Sequence, residues 1–174
     1  MRAFFVLLLV VFACSALAQP QEHEAKAAFL LQFLAFVEFP REVMPPEAPL
    51  VVGVVGGEAF AAVLQRIVAG RSVDGRRVLV RRLGKREPPA GVHLVFFAKG
   101  EAARLGELQR RAPAQPLLIV CEWDGALEQG AVVNFLRSED RVRFEVALEH
   151  AERRGLRISP RMLAVAQSVK PARR

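Results

Sequence analysis

The chain has 174 residues, a formal net charge of +7, 52% hydrophobic and 25% charged residues. That balance excludes a disordered chain and supports one folded domain with a substantial core. Basic pairs such as Arg76-Arg77, Arg110-Arg111 and Arg153-Arg154 are scattered, with no RNA-binding motif or aromatic-interleaved basic strip, so nucleic acid is not an expected partner.

Residues 1–18, MRAFFVLLLVVFACSALA, carry Arg2, an apolar stretch of about eleven residues and an Ala16-Leu17-Ala18 cleavage site. This pattern is a secretory signal peptide, too short in its apolar core to span a membrane. The expected product is an exported single domain, Gln19–Arg174. In the minority alternative, Val11-Phe12-Ala13-Cys14 is a lipoprotein box with Cys14 acylated. Either way an internal disulfide is excluded, because Cys121 is at most joined by a lipidated terminus. Cys121 closes the apolar run PLLIVC and reads as an inert core thiol.

Glu24 to Phe39 has helical periodicity, with Phe29, Phe33 and Phe36 at i, i+4 and i+7, and it stops at Pro40. Only Gln32 interrupts its apolar middle. Two uses stay open for the phenylalanines: burial against a sheet, or a homodimer interface. Leu50 to Gly56 is an all-apolar strand of the doubly buried kind, leading through Gly56-Gly57 into the helix EAFAAVLQRIV. A phosphate site is disfavoured there, because G-x-G-x-x-G and the P-loop lysine are missing and Glu58 occupies the positive helix end.

Asp74-Gly75 marks a turn into a half-exposed strand, and VHLVFFA is a second buried strand. A helix over about Gly100 to Arg110 and a third buried strand, LLIVCE, follow. Glu122, Trp123 and Asp124 then lie at a carboxyl strand end, where open α/β sheets bind ligands. Trp123 is equally suited to anchor a protein partner. AVVNFLR and RVRFEVA form an antiparallel hairpin around Ser138-Glu139-Asp140, and two short helices are expected near Leu148–Arg154 and Pro160–Val169. The order predicts an α/β layered domain: a mixed, mostly parallel sheet flanked by helices, closed by a C-terminal β-hairpin and short helices.

Little in the sequence suggests catalysis. His23, His93 and His150 are isolated, and no nucleophile elbow, H-E-x-x-H or paired-cysteine metal motif is present. No cofactor or metal is expected. His93 opens a buried strand, where a hydrogen-bonded core histidine is the ordinary reading.

The segment GAVVNFLRSEDRVRFEVALEHAERRGLRISPRMLAVAQSV, with KAAFLLQFLAFVEFP near the start, resembles the YfiR-like family of periplasmic proteins. The resemblance runs over essentially the whole exported chain, and it implies a non-catalytic regulator. Such proteins bind the periplasmic sensing domain of an inner-membrane diguanylate cyclase and restrain cyclic di-GMP output, which bears on biofilm formation. An outer-membrane lipoprotein can sequester them. The resemblance places Arg141, Arg143 and Glu145 on the family's R-V-R-F-E strand, and Gly155, Leu156, Ile158 and Ser159 on its G-L-x-I-S segment. Arg141, Arg143, Glu145, Arg157 and Trp123 are the expected partner-binding residues, with Glu145 expected to bridge Arg143 or Arg157. One departure is plain: the paired cysteines of redox-responsive relatives are missing, and Val92 stands where relatives often have cysteine. A small-ligand-binding protein that presents its ligand to a membrane receptor is the alternative.

Overall fold

The computed structural model describes residues 20–172 except 46, 85, 86, 113, 139 and 140. The leader, the lipidation cysteine and the Glu139-Asp140 turn therefore lie outside the described residues. Helix α1 (20–36) opens the fold, and Pro40, whose ring disfavours helical backbone in Phe39, stands just beyond its end. The helix expected to reach Phe39 instead gives way to the short strand β1 (Val37–Glu38).

Five strands then build a parallel core: β2 (Leu50–Val55), β4 (Arg76–Arg82), β5 (Leu94–Phe97), β6 (Leu118–Cys121) and β7 (Val133–Ser138). The two-residue β3 (Ser72–Val73) folds back on β4 through the expected Asp74-Gly75 turn. Helix α2 (Glu58–Val68) crosses from β2 to the β3–β4 hairpin, and α3 (Ala102–Arg111) crosses from β5 to β6. β8 (Arg141–Ala147) returns antiparallel beside β7, with Phe135 opposite Phe144 and Asn134 opposite Glu145. After α4 (Leu148–Arg153), β9 (Arg157–Ile158) pairs with β1, and α5 (Pro160–Ala164) leads to β10 (Ser168–Lys170) alongside β8. The main sheet has the order β10-β8-β7-β6-β5-β2-β4-β3. The α/β class, the mixed and mostly parallel sheet and the C-terminal hairpin are thus as read from the sequence.

The last helix is a correction. A helix to Val169 was expected, but α5 stops at Ala164 and Ser168–Lys170 form a strand. Without it the outer edge of β8 would leave unpaired backbone groups, and β10 pairs Ser168 with Glu145 and Lys170 with Ala147. The caps flanking β9 follow local rules. Gly155 takes φ 67° just past α4, where a side chain would be strained, and the Ser159 hydroxyl accepts from the Arg161 N–H with Pro160 at the first helical position.

Alternation along the strands sorts the two faces. Phe96, Phe135 and Phe144 point toward α1 and α2, where Phe33 lies 4.9 Å from Phe144 and 5.7 Å from Phe135, ring centre to ring centre, and Phe60 lies 4.4 Å from Phe96. The opposite face carries α3 and α4, tied together by Arg154. This guanidinium is buried and donates to Gln109 Oε1 (2.7 Å) and to the carbonyls of Gln115 (2.9 Å) and Ala112 (3.4 Å). Burial, with Arg153 beside it, lowers its pKa to about 10. His93 is the expected core histidine: Nδ1 accepts from the Val51 N–H (3.0 Å), so Nε2–H donates to the Val43 carbonyl (3.0 Å). Cys121 is fully buried, and burial, with the Glu122 charge nearby, pushes its thiol well above the usual range.

Candidate functional site

In a doubly wound sheet the crevice for a ligand lies at the carboxyl ends of the strands where their order reverses, here between β2 and β5. That position is closed. Gly56 and Gly57 turn the chain with φ of 70° and 59°, and Glu101 Oε1 stands 2.9 Å from where a Gly56 side chain would begin. A carboxylate packed against the turn argues against an anion site, in keeping with Glu58 in the first turn of α2.

The open space lies further along the same end, over β5, β6 and β7. A cavity of about 390 Å³ is walled by the start of α1 (Glu22, His23, Lys26), by Lys99 after β5, by Glu122, Trp123 and Asp124 after β6, and by Phe135, Leu136 and Arg137 of β7. Lys26 lies at its base, buried, hydrogen-bonded to Glu22 and to Glu122 Oε2 (2.6 Å). The other Glu122 oxygen accepts from the Lys99 N–H (3.0 Å), and Glu22 also meets Arg137 at 3.6 Å. Burial works against the Lys26 charge, but its bonds to Glu122 and Glu22 outweigh that and hold the ammonium above the ordinary lysine range. Burial likewise raises the Glu22 carboxyl, and Lys26 and Arg137 draw it net below its ordinary value. Lys26, Glu22, Glu122 and Arg137 thus satisfy one another, while the side chains of His23, Lys99 and Asp124 line the same cavity without an ion-pair or side-chain hydrogen-bond partner among the described residues.

Trp123 belongs to this wall rather than to an exposed loop tip. Its ring packs on the core, and its indole Nε1–H is buried with no acceptor among the described residues. Its backbone N–H donates to Asn134 Oδ1 (3.3 Å), Asn134 Nδ2 donates to Glu145 Oε1 (3.0 Å), and the Ser168 hydroxyl donates to Glu145 Oε2 (3.4 Å). A polar chain, part-buried at Asn134 and exposed at Ser168, thus links Trp123 to the middle of β8 and on to β10. Glu145 is held by this chain, and the expected bridge to Arg143 or Arg157 is not what positions it.

The arginines are placed differently. Arg141 and Arg143 are exposed on the same face of β8 as Glu145, and among the described residues neither has an ion-pair or side-chain hydrogen-bond partner. β10 lies alongside only Glu145 to Ala147, so the half of β8 that carries them is an outer sheet edge. Arg157 does not join them in the sheet; it lies exposed on the separate β1–β9 ribbon, opposite Glu38. The phenylalanines of α1 divide as well. Phe33 is buried and Phe29 packs on Phe33, Phe135 and Phe144, so these two hold the helix to its own sheet, while Phe36 stays half-buried. A dimer contact through Phe33 is therefore corrected: a ring already enclosed within its own domain has no surface to offer a second copy. The exposed residues of α1 are Pro20, Gln21, Glu24, Ala28, Gln32 and Ala35.

Two contributors escaped sequence reading. The i, i+4 spacing of Glu22 and Lys26 is a visible signal, but the closure by Glu122, 96 residues away, is not. Asn134, alone among apolar residues in AVVNFL, is the kind of buried polar group that must find partners, and that was the available clue.

Fold and site together define a doubly wound α/β domain with an arginine-bearing sheet edge and a charge-compensated pocket. The YfiR/HmsC-like family matches the chain over residues 23–167, and the chain belongs to that family. No curated protein matches it. Among the described residues, no helix is long and apolar enough to cross a membrane.

Proposed function

We propose that this chain is a non-catalytic periplasmic regulator. It binds the periplasmic sensing domain of an inner-membrane signalling protein of the diguanylate cyclase kind and holds its output down. Membership of the YfiR/HmsC-like family supports this class of role. The observation that carries it further is the pair Arg141 and Arg143, exposed on an open sheet edge and without partners among the described residues. Guanidinium groups that satisfy nothing within the fold suit carboxylates of a partner, in bidentate hydrogen bonds. The leader sequence supports export, and an outer-membrane lipoprotein is the proposed antagonist that draws the regulator away.

The test is cyclic di-GMP in the source cells with the gene deleted, restored, or restored as the Arg141→Ala/Arg143→Ala variant. Deletion should raise the nucleotide several-fold, the wild type should bring it down, and the variant should fail to do so. An unchanged level on deletion would contradict the cyclase reading.

A second reading has its own observation. The unsatisfied Trp123 Nε1–H beside the Lys26 pocket suits an acceptor group of a small ligand, which the chain would present to a membrane receptor.

A further inference from the structure

On the opposite face of the sheet a second cavity, about 260 Å³, opens between β5, α3 and the 87–90 segment. Its floor is apolar for a reason of register. Val55 pairs with Phe97 and Gly53 with Val95, and these positions alternate away from Phe96 and the aromatic core. Gly53 contributes no side chain, and Leu83 Cδ1 and Val92 Cγ1 lie 2.8 and 3.1 Å from where one would begin. Leu83 is thereby drawn across the sheet as one wall, Leu108 of α3 forms the other, and the space between lies over Val95 and Phe97.

The charges at the mouth are unequal. Glu87 accepts from the Gly84 N–H (3.0 Å) and meets Arg81 at 3.6 Å, and Glu107 is paired with Arg111 at 2.7 Å. Arg104 also lines the cavity, is half-buried, and among the described residues its guanidinium has neither an ion pair nor a hydrogen bond. A partly desolvated guanidinium beside an apolar floor, with the neighbouring acids already engaged, lacks only an anion. The volume limits what that anion can be. It equals the liquid share of about nine water molecules, enough for a ligand of roughly ten non-hydrogen atoms.

We propose that this cavity binds a small monocarboxylic acid with a ring-sized apolar body. Arg104 receives the carboxylate, and the ring lies against Val95, Phe97 and Leu108. The site is separate from the β8 edge and from the Lys26 pocket, and it stands independently of the regulator reading. Arg104 disfavours a cationic ligand, and the cavity's size favours a small molecule.

The experiment is an amide NMR titration of the ¹⁵N-labelled protein with phenylacetate, with 2-phenylacetamide as its uncharged counterpart. Phenylacetate should shift the Val95, Phe97 and Leu108 amides saturably, and the amide should bind at least about tenfold more weakly, the difference of one charge-assisted contact. Arg104→Gln should bring phenylacetate down to the level of the amide without changing the melting temperature, and Arg104→Lys should restore part of the preference. Absence of saturable shifts at those amides, equal binding of the two probes, or an Arg104→Gln variant that binds phenylacetate as the wild type does would each overturn the proposal. Shifts centred on Lys26 and Trp123 would also overturn it, by assigning the acid to the other pocket.

Discussion

Lys26 and the arginines of β8 show two opposite uses of positive charge in one small domain. Lys26 is buried and enclosed by Glu22 and Glu122, one from its own helix and one from the far end of β6. Arg141 and Arg143 are exposed on an outer strand and bind no side chain among the described residues. A charge taken out of water must be met inside the molecule, or the fold is destabilised. A charge left in water adds little to stability and is available to another molecule. Composition alone counts all three residues equally, and it is their pairing that separates architecture from recognition.

The sharpest way to break this contrast is Lys26→Met. It leaves two carboxylates facing each other in a partly buried pocket and should cost about 3 kcal/mol, read from urea unfolding at pH 7. Adding Glu122→Gln should recover part of that loss, and full additivity of the two changes would show that the pair is not coupled. Next in size is Arg154→Ala, which strips partners from Gln109 and from the Gln115 and Ala112 carbonyls at the end of α3. The expected loss is about 2 kcal/mol.

A smaller effect depends on pH. Burial holds the His93 pKa below its ordinary value of 6.5. Its neutral form therefore contributes stability that is complete above about pH 6.5 and falls away as pH drops through the lowered native value. Thermal unfolding of the wild type should show that decline on acidification, beyond the contribution of the carboxylates, and His93→Gln should flatten it. Equal slopes in the two proteins would remove His93 from the acid response. Smallest of all on stability is Arg141→Ala/Arg143→Ala, expected to stay within about 0.5 kcal/mol of the wild type because neither side chain has a partner to lose.

Much of the fold was legible because its signals are local. β2, β5 and β6 are continuous apolar runs, α2 has a clean helical period, and Gly155 and Ser159 obey capping rules. The missed elements are β1, β3, β9 and β10, two or three residues each. No periodicity exists at that length, and for β1, β9 and β10 the partners, Arg157 for Glu38 or Glu145 for Ser168, are also distant in sequence. Helix α1 looked apolar on nearly every side because Ala28 and Ala35 count as hydrophobic, yet alanine is small enough to face water at little cost, and that is where both lie. At the site, the β8 alternation put Arg141, Arg143 and Glu145 on one face as expected. The binding of Glu145 by Asn134 and Ser168 rests on strand register, and no local pattern gives register in advance.

The exposed arginines of the β8 edge are proposed to be read by a membrane partner. The most direct measurement is a parallel pull-down from solubilised membranes of the source cells, with the wild type and the Arg141→Ala/Arg143→Ala variant as baits of equal melting temperature. The wild type should retain an inner-membrane protein with a periplasmic domain and a cyclase output, and the variant should lose it. Equal retention by both baits, or retention by neither, would contradict the claim.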